Sequence, residues 1–199
     1  MATSTGASAG SSLPRPAPTR LLRTLRSVRR FAPRPIPGGV LRDVLEVGRW
    51  TGSSKNSQPW EVVVVRDRGM LEQLARLGQF AGHLAGADAA IVLVMDSPSN
   101  ALDAGRLAQN LMLAAWAHGV GSCIASLFPE ENERRAKELL GVPAERWVRT
   151  AISLGYSADA RARVVSSTPG LRGTVPLGRK PLAEFASWER YGRREPSRQ

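Results

Sequence analysis

Apolar residues follow two alternating patterns along the chain from residue 21 onwards. Stretches with apolar residues three or four positions apart predict amphipathic helices, and short unbroken apolar runs predict buried strands. Such alternation predicts an α/β or α+β domain in which helical layers cover a sheet. The predicted helices are 21–28, 40–47, 70–77, 101–118 and 130–140, and the predicted strands are 61–66, 89–95, 123–127 and 147–154.

The two ends of the chain differ in composition from the part between them. Residues 1–20 are mainly Ala, Ser, Thr, Gly and Pro with a few Arg, so we expect a disordered basic tail there. An Arg-rich, Ser-rich and acid-poor opening is also typical of an organelle transit peptide. Residues 193–199 form a second polar tail, which leaves 21–192 as one domain. No apolar run approaches the roughly 18 residues that a membrane-spanning helix needs, so we expect no membrane partner.

The basic charge of the chain has two explanations. The net charge is +11, and all but three of the 28 basic residues are Arg. Such a protein could bind nucleic acid. Alternatively, a few of its arginines could bind a small anion while the rest reflect a general preference for Arg on the surface and in the tails. Composition leaves both open. Since the chain lacks interleaved aromatic residues on a basic face and any nucleic-acid-binding motif, we expect no nucleic-acid partner.

Cysteine and histidine are scarce, which excludes several kinds of site. The single cysteine, Cys123, rules out an intrachain disulfide and a cysteine zinc cluster. His83 and His118 are too few for a histidine-rich metal site and follow no triad pattern, so we expect no metal and interpret both as surface or cap residues. A reducing compartment is compatible with this composition, and we expect a cytoplasmic protein. The chain also lacks a Walker A loop, a G-x-G-x-x-G turn, an H-E-x-x-H helix and a G-x-S-x-G elbow.

Two basic segments contain groups that suit an anionic ligand. Around Ser27, the guanidinium groups of Arg26 and Arg29 flank a hydroxyl. Arg binds phosphate oxygens through paired hydrogen bonds, and a serine adds a neutral donor. By itself this pattern is also typical of a solvated surface. Near the end of the chain, Arg179 and Lys180 could return to the same phosphate site or form a simple basic turn.

Two further segments contain groups that suit a polar heterocycle. The stretch 51–58 concentrates hydroxyls and amides directly before a predicted buried strand, and Pro59-Trp60 closes it. Its alternative interpretation is an ordinary hydrophilic connection. After the longest predicted helix, glycines at 119 and 121 allow close approach of the backbone, so amides near Ala125 and Ser126 could donate to a ring atom. The alternative there is a helix C-cap followed by a strand.

Together, and in this order, these segments resemble the FMN-dependent nitroreductase family. Arg26, Ser27 and Arg29 match the family's R-x-S-x-R type of phosphate clamp, and 53–60 matches its P-S-S-x-N-x-Q-P-W loop. The helix from Asp103 into Gly-Val-Gly-Ser-Cys resembles the family's central helix. The resemblance continues through 154–156 and 179–182 and covers about residues 21–192.

The resemblance implies an α+β fold with a mixed β-sheet flanked by helices, built as an intertwined homodimer with FMN at the interface. Its activity would be that of an FMN-dependent NAD(P)H oxidoreductase with a ping-pong mechanism. NADH or NADPH would deliver hydride to the flavin, and an electron-poor nitro compound, quinone or related acceptor would then take its place. No side-chain nucleophile is implied, and Arg29 would supply positive charge near the reduced flavin.

The cofactor-binding residues implied by the resemblance fall into three groups. The first would hold the phosphate and ribityl end, the second would come from the loop that reaches the flavin of the partner subunit, and the third would present backbone amides to the isoalloxazine ring. In that order they are Arg26, Ser27, Arg29 and Arg179; Ser53, Ser54, Asn56 and Gln58; and Ala125 and Ser126.

Three features depart from the family pattern. Leu25 stands where many members carry the first Arg of the clamp, and Gly52 replaces the usual Pro. The segment 80–86 lacks the Asn and Lys that some members place against the flavin ring. These departures keep two alternatives open: a non-catalytic flavin-binding or storage protein of the same fold, and a same-fold dehalogenase, dehydrogenase or flavin destructase.

Overall fold

The computed structural model describes residues 17–159, 170–172 and 175–194. The chain divides into two compact units, with the boundary after residue 162. Short 3-10 helices lie at Ser54–Asn56, Gly82–Gly86 and Pro98–Asn100. The α-helices are α1 (Ala17–Thr24), α2 (Gly38–Arg49), α3 (Arg68–Ala75), α4 (Ala101–Ala117), α5 (Glu130–Leu140) and α6 (Leu182–Phe185); the strands are β1 (Trp60–Val65), β2 (Ala89–Met95), β3 (Gly121–Ser126), β4 (Thr150–Gly155), β5 (Gly170–Arg172) and β6 (Val175–Leu177).

Strands β1 to β4 of the first unit form one sheet in the order β1-β2-β4-β3, and neighbouring strands are antiparallel. β2 is an inner strand, and all seven of its residues are buried. β1 and β3 form the two edges. Among the described residues, parallel pairing is confined to one bridge, between Ser27 and Ser122 at the outer edge of β3. Helices around this sheet confirm the predicted α+β class.

Each face of the sheet is covered by its own helices. On one face, α2 and α4 contribute residues such as Val44 and Leu111 to a core with Ile91 and Ile152 from the sheet. On the other face, Leu74 of α3 and neighbours from α5 and the 82–86 helix pack against the alternate residues of the same strands. Because successive side chains of a strand point to opposite faces, the inner strand β2, which is buried on both faces, is a continuous apolar run.

Local signals set the ends of two of the covering helices. Asp67 caps α3, since its carboxylate accepts a hydrogen bond from the backbone N–H of Met70 at 2.8 Å. α5 begins with Glu130 and Glu131, which favour a helix N-terminus, and ends at Gly141 in the left-handed conformation with φ 66°. These ends agree with the sequence prediction for α5.

The first predicted helix is displaced. The pattern predicts a helix over 21–28, but α1 covers Ala17–Thr24 and so begins inside the segment assigned to a disordered tail. The indole Nε1 of Trp116 on α4 donates to the Thr24 hydroxyl at 3.1 Å and fixes the end of α1. From residue 25 the chain is no longer helical, because Val28 pairs with β3. The rest of the tail, residues 1–16, and residues 195–199 lie outside the described residues.

The fourth predicted strand is also shorter than expected. β4 begins at Thr150, whereas the pattern predicts a start at Trp147. Trp147 instead pairs with Met95 in an isolated bridge, and its carbonyl oxygen accepts from the Met95 N–H at 2.8 Å. In the second unit, β5 and β6 pair as an antiparallel hairpin, and α6 is a single turn of helix. The sequence pattern did not predict this hairpin.

Candidate cofactor site

The basic segment around Ser27 is extended and lies along the outer edge of β3. The Val28 N–H donates to the Ser122 carbonyl oxygen at 2.9 Å, and the Val28 side chain is buried. Because side chains alternate along an extended chain, Ser27 and Arg29 project together on the side opposite Val28. Both are exposed. This arrangement gives a hydroxyl and a guanidinium on one side, which suits an anion.

Arg26 points differently from the other two residues of this segment. It is half-buried, and its guanidinium donates to the carbonyl oxygen of Arg23 at 3.1 Å. Helical geometry would place Arg26 and Arg29, three positions apart, on one face and Ser27 away from them. The extended conformation instead pairs Ser27 with Arg29 and leaves Arg26 on the other side.

Two glycines let this segment lie against the sheet. A Cβ at Gly121 would lie 2.6 to 2.9 Å from the side-chain carbons of Val28, and a Cβ at Gly155 would lie 2.7 Å from the ring of Phe31. Carbon atoms in contact are normally about 3.5–4.0 Å apart. Glycine is therefore required at both positions for residues 28 and 31 to approach the strands this closely.

The outer edge of β3 presents backbone groups between two covered ends. The Leu127 N–H donates to Arg149 on the β4 side, so the odd-numbered residues of β3 pair with β4 and the even-numbered ones face outward. At one end of β3 the outward carbonyl oxygen of Ser122 accepts from Val28, and at the other end Gly78 packs against the outward carbonyl oxygen of Ser126. The backbone N–H of Ala125 therefore pairs with β4 and cannot face a ligand, contrary to the prediction. The outward N–H groups nearest to it are those of Ile124 and Ser126.

The loop 51–58 is held in an unusual conformation. Three non-glycine residues have positive φ: Lys55 at 51°, Asn56 at 54° and Gln58 at 47°. Such backbone conformations cost free energy and persist only where the surroundings fix them, which is common at functional sites. Here the backbone N–H of Gln58 donates to the Ser53 hydroxyl at 2.8 Å. Ser53 therefore stabilises the loop itself, while the side chains at 54, 56 and 58 are exposed.

The loop is also fastened to the long helix behind it. The side-chain amide of Asn110 on α4 donates to the buried Thr51 hydroxyl at 2.9 Å. At its other end the loop runs directly into β1 through the buried Pro59. A loop fixed at both ends presents its polar side chains in a defined arrangement.

One chain does not bring the loop and the basic segment together. The loop precedes β1 and the basic segment lies beside β3, and these strands are the opposite edges of the sheet. Three strand spacings of about 4.8 Å separate the edges by about 14 Å. The predicted site residues of the first unit thus form two separate groups within a single chain.

Arg179 belongs to the second unit. It lies between β6 and α6, its side chain is exposed, and its guanidinium donates to the Gly178 carbonyl oxygen at 2.8 Å. Arg179 as a phosphate ligand stays a prediction.

His83 is a polar residue of this region that the sequence did not single out. It is half-buried, not a surface residue, and its Nδ1 lies 2.8 Å from the Oγ of the fully buried Ser153 on β4. Burial lowers the pKa of His83 most, and the positive charge of Arg29 lowers it further. No motif marks this histidine, because its partner Ser153 lies 70 residues away in the sequence.

Two kinds of site are absent from the part of the chain that the structure describes. No group of three or more His, Cys, Asp or Glu side chains there is arranged to hold a metal ion. No described helix has the length and apolar character needed to cross a membrane.

Known proteins share sequence and fold with this chain. The model of the nitroreductase family matches residues 22–85 and 78–156. A protein of Archaeoglobus fulgidus, named as a candidate NADH dehydrogenase/NAD(P)H nitroreductase, is 33% identical over 150 residues, which are 71% of this chain and 86% of that protein. The structure of an FMN-dependent nitroreductase from Clostridium difficile matches 70% of this chain and 87% of its own, with a TM-score of 0.65 and 28% identity.

A further structure extends the likeness of fold over more of the chain. The NADPH:FMN oxidoreductase of Vibrio harveyi, solved with NAD+, matches 87% of this chain and 77% of its own, with a TM-score of 0.70 and 22% identity. At that identity the likeness concerns the fold alone. The family model covers well over half of the chain, and the archaeal relative is more than 30% identical to it. The chain therefore belongs to the nitroreductase family.

Proposed function

We propose that this protein is an FMN-dependent NAD(P)H oxidoreductase that reduces nitro compounds, quinones or related electron-poor acceptors. The observation that carries this proposal is the pairing of Ser27 and Arg29 on one side of an extended segment, beside the outward backbone groups of β3. A guanidinium with a neighbouring hydroxyl suits a phosphate, and a row of backbone groups suits the polar edge of a flavin ring.

The residues of the site fit FMN in two respects. Its phosphate and ribityl chain need several donors, and Ser27 and Arg29 would supply them from one side of the extended segment, whereas Arg26 points away from that side. Its ring needs hydrogen-bond partners and an apolar surface; the outward amides of β3 and the half-exposed Ile124 side chain offer both. When bound, FMN would supply the hydride chemistry, accepting from NADH or NADPH and giving to the acceptor.

The chain's own part in that reaction is positional and electrostatic. The β3 edge would hold the flavin in register, and Arg29 would place positive charge where negative charge develops. A ping-pong order follows if nicotinamide and acceptor use the same space in turn, and no described side chain needs to act as a nucleophile. Holding the two rings in contact would supply part of the rate gain.

The protein would act as a homodimer. In one chain, the 53–58 loop and the basic segment lie at opposite sheet edges, so a second copy would have to bring Ser53, Ser54, Asn56 and Gln58 to the flavin. Large apolar side chains stand exposed just after α2 and on α4, where Trp50 is 76% and Leu102 is 78% exposed. Exposed apolar groups of this size favour an interface with another protein surface.

A visible spectrum followed by anaerobic addition of NADH or NADPH tests the proposal. The purified protein, reconstituted with FMN, should be yellow and should bleach when either nicotinamide is added. A colourless protein that FMN does not reconstitute would refute the proposal. A yellow protein that neither nicotinamide bleaches would instead support flavin storage, an alternative favoured by the missing Asn and Lys in 80–86.

A further inference from the structure

His83 is hydrogen-bonded to the two strands nearest the basic segment. Its Nδ1 lies 2.8 Å from Ser153 Oγ, and the Ser153 hydroxyl donates to the Cys123 carbonyl oxygen at 3.2 Å. Which of these two atoms donates depends on the tautomer of the ring, and the Ser153 hydroxyl can accept from a protonated Nδ1 while it donates to Cys123. A second hydrogen bond, to the backbone of Ile124, favours the protonated ring. Acceptors for an imidazolium are therefore already in place around His83.

Two influences oppose protonation of this ring. Burial disfavours the charged form and is the larger of the two. The second is the positive charge of Arg29, which comes toward the level of Ile124 because the preceding residues pair with Ser122. The charged residues of the packed helix α3 and of the segment that follows it are not among the causes of the His83 pKa shift; these residues are Arg68, Glu72, Arg76 and Asp88.

One of these opposing influences is removable. Burial is fixed by the fold, but the effect of Arg29 depends on what its guanidinium binds. An anion bound at Arg29 would neutralise that charge. Burial would then be the remaining influence that lowers the pKa of His83, against the hydrogen bonds that favour the protonated ring. Because its pKa is lowered, the ring stays uncharged to a lower pH than an ordinary histidine, so it has a proton to gain.

We propose that His83 is a titratable member of the ligand site, which takes up a proton when negative charge arrives beside Arg29. The negative charge can come from a bound phosphate group or from reduction of a bound flavin, and both act on the ring in the same direction. The proposal rests on the proposed function only for the identity of the ligand, since any anion at Arg29 has this effect.

Linkage gives the sign of the pH dependence. Negative charge at Arg29 raises the pKa of His83, so binding takes up a proton between the lower pKa of the free protein and the higher pKa of the complex. Reciprocally, the anion binds more tightly as the pH falls through that window. A rise of about one pH unit corresponds to about tenfold tighter binding to the protonated form.

Imidazole NMR on the full chain measures this effect directly. His83 and His118 are the two histidines of the chain, so His118→Gln leaves His83 as the sole reporter, and His83→Gln confirms the assignment. His118 pairs with Asp43 and lies outside the proposed site. The pKa of His83 is measured in chloride, in inorganic phosphate at the same ionic strength, with FMN, and with FMN after dithionite.

We expect the pKa of His83 to rise by about one pH unit in phosphate, or with FMN before or after reduction. Arg29→Gln should raise the pKa in chloride and remove the further rise. A His83 pKa that is the same in all four conditions overturns the proposal, and if FMN binds in that experiment, the proposed function stands alone. If FMN does not bind but phosphate raises the pKa, the proposed function fails and the coupling between Arg29 and His83 stands.

Discussion

The contact between Gly121 and Val28 makes the site dependent on a single missing methyl group. Gly121→Ala would place a Cβ at 2.6 to 2.9 Å from three carbons of Val28, a residue that is 3% exposed and has no free space to enter. The segment that contains Ser27 and Arg29 would have to move away from β3. The substitution thus tests whether this packing positions the proposed anion-binding side chains.

The size of the effect follows from the distances. Restoring an ordinary carbon contact of about 3.5–4.0 Å moves Val28 outward by about 1 Å. The hydrogen bond from the Val28 N–H to Ser122, now 2.9 Å, would lengthen to about 3.9 Å and be lost. Overpacking costs about 1–3 kcal/mol and the hydrogen bond about 0.5–1.5 kcal/mol. We expect Gly121→Ala to lower the free energy of unfolding by about 2–4 kcal/mol.

Urea unfolding and FMN titration together measure this prediction. Gly39→Ala in α2 is the matched control, because a Cβ there meets nothing within 4 Å; it should change the free energy of unfolding by less than about 1 kcal/mol. Val28→Gly removes all three clashing carbons, so the double variant should be more stable than the sum of the single changes predicts. Equal stability of the Gly121 and Gly39 variants, with equal FMN affinity, would refute the reasoning.

Three further substitutions test other parts of the structure. Arg29→Ala should weaken FMN binding about 10- to 100-fold in a fluorescence titration, since a charged hydrogen bond contributes about 1.5–3 kcal/mol; the exposed neighbour Arg30→Ala should change it about twofold at most, and equal losses would contradict the assignment. Glu133→Ala removes the buried carboxylate 2.7 Å from the Arg149 guanidinium and should cost about 1–3 kcal/mol in urea unfolding; a neutral result would show that solvent satisfies Arg149. Because the pKa of His83 is lowered in the fold, the unfolded chain binds more protons just below its usual pKa of about 6.5. Stability should therefore fall as the pH drops from about 6.5 toward the folded pKa, and His83→Gln should flatten that slope; an unchanged slope would assign it to other groups.

Elements with strong local signals could be predicted from the sequence almost residue by residue. β2 has the predicted bounds, because an unbroken apolar run between polar residues suits a strand buried on both faces. α5 also has the predicted bounds, since acidic residues mark its start and Gly141 its end. The loop 51–58 was predicted as irregular and polar, but its three residues at positive φ carry no glycine signal by which sequence reasoning could find them.

The parts that could not be predicted depend on contacts distant in sequence. The leucines that predict a helix over 21–28 continue the spacing of α1, but pairing of Val28 with Ser122, almost a hundred residues later, overrides it. The same is true of the amides on β3, whose outward or inward direction depends on the register with β4. The partner of His83 lies on β4, so neither its burial nor its hydrogen bond is visible in its neighbours.

The separation of the two groups of site residues links the proposed cofactor to assembly. Within one chain the 53–58 loop precedes β1 and the Ser27–Arg29 segment lies beyond β3, at opposite edges of a sheet about 14 Å wide, so neither group alone surrounds a flavin. A ligand that needs both groups binds only where two chains meet, and by mass action it stabilises that assembly over the separate chains. The unfolding temperature should then rise with FMN and with protein concentration together, because the same interface provides both halves of the site. The strain held in the loop fits this arrangement, since a fixed loop loses little conformational entropy when it contacts the cofactor of its partner.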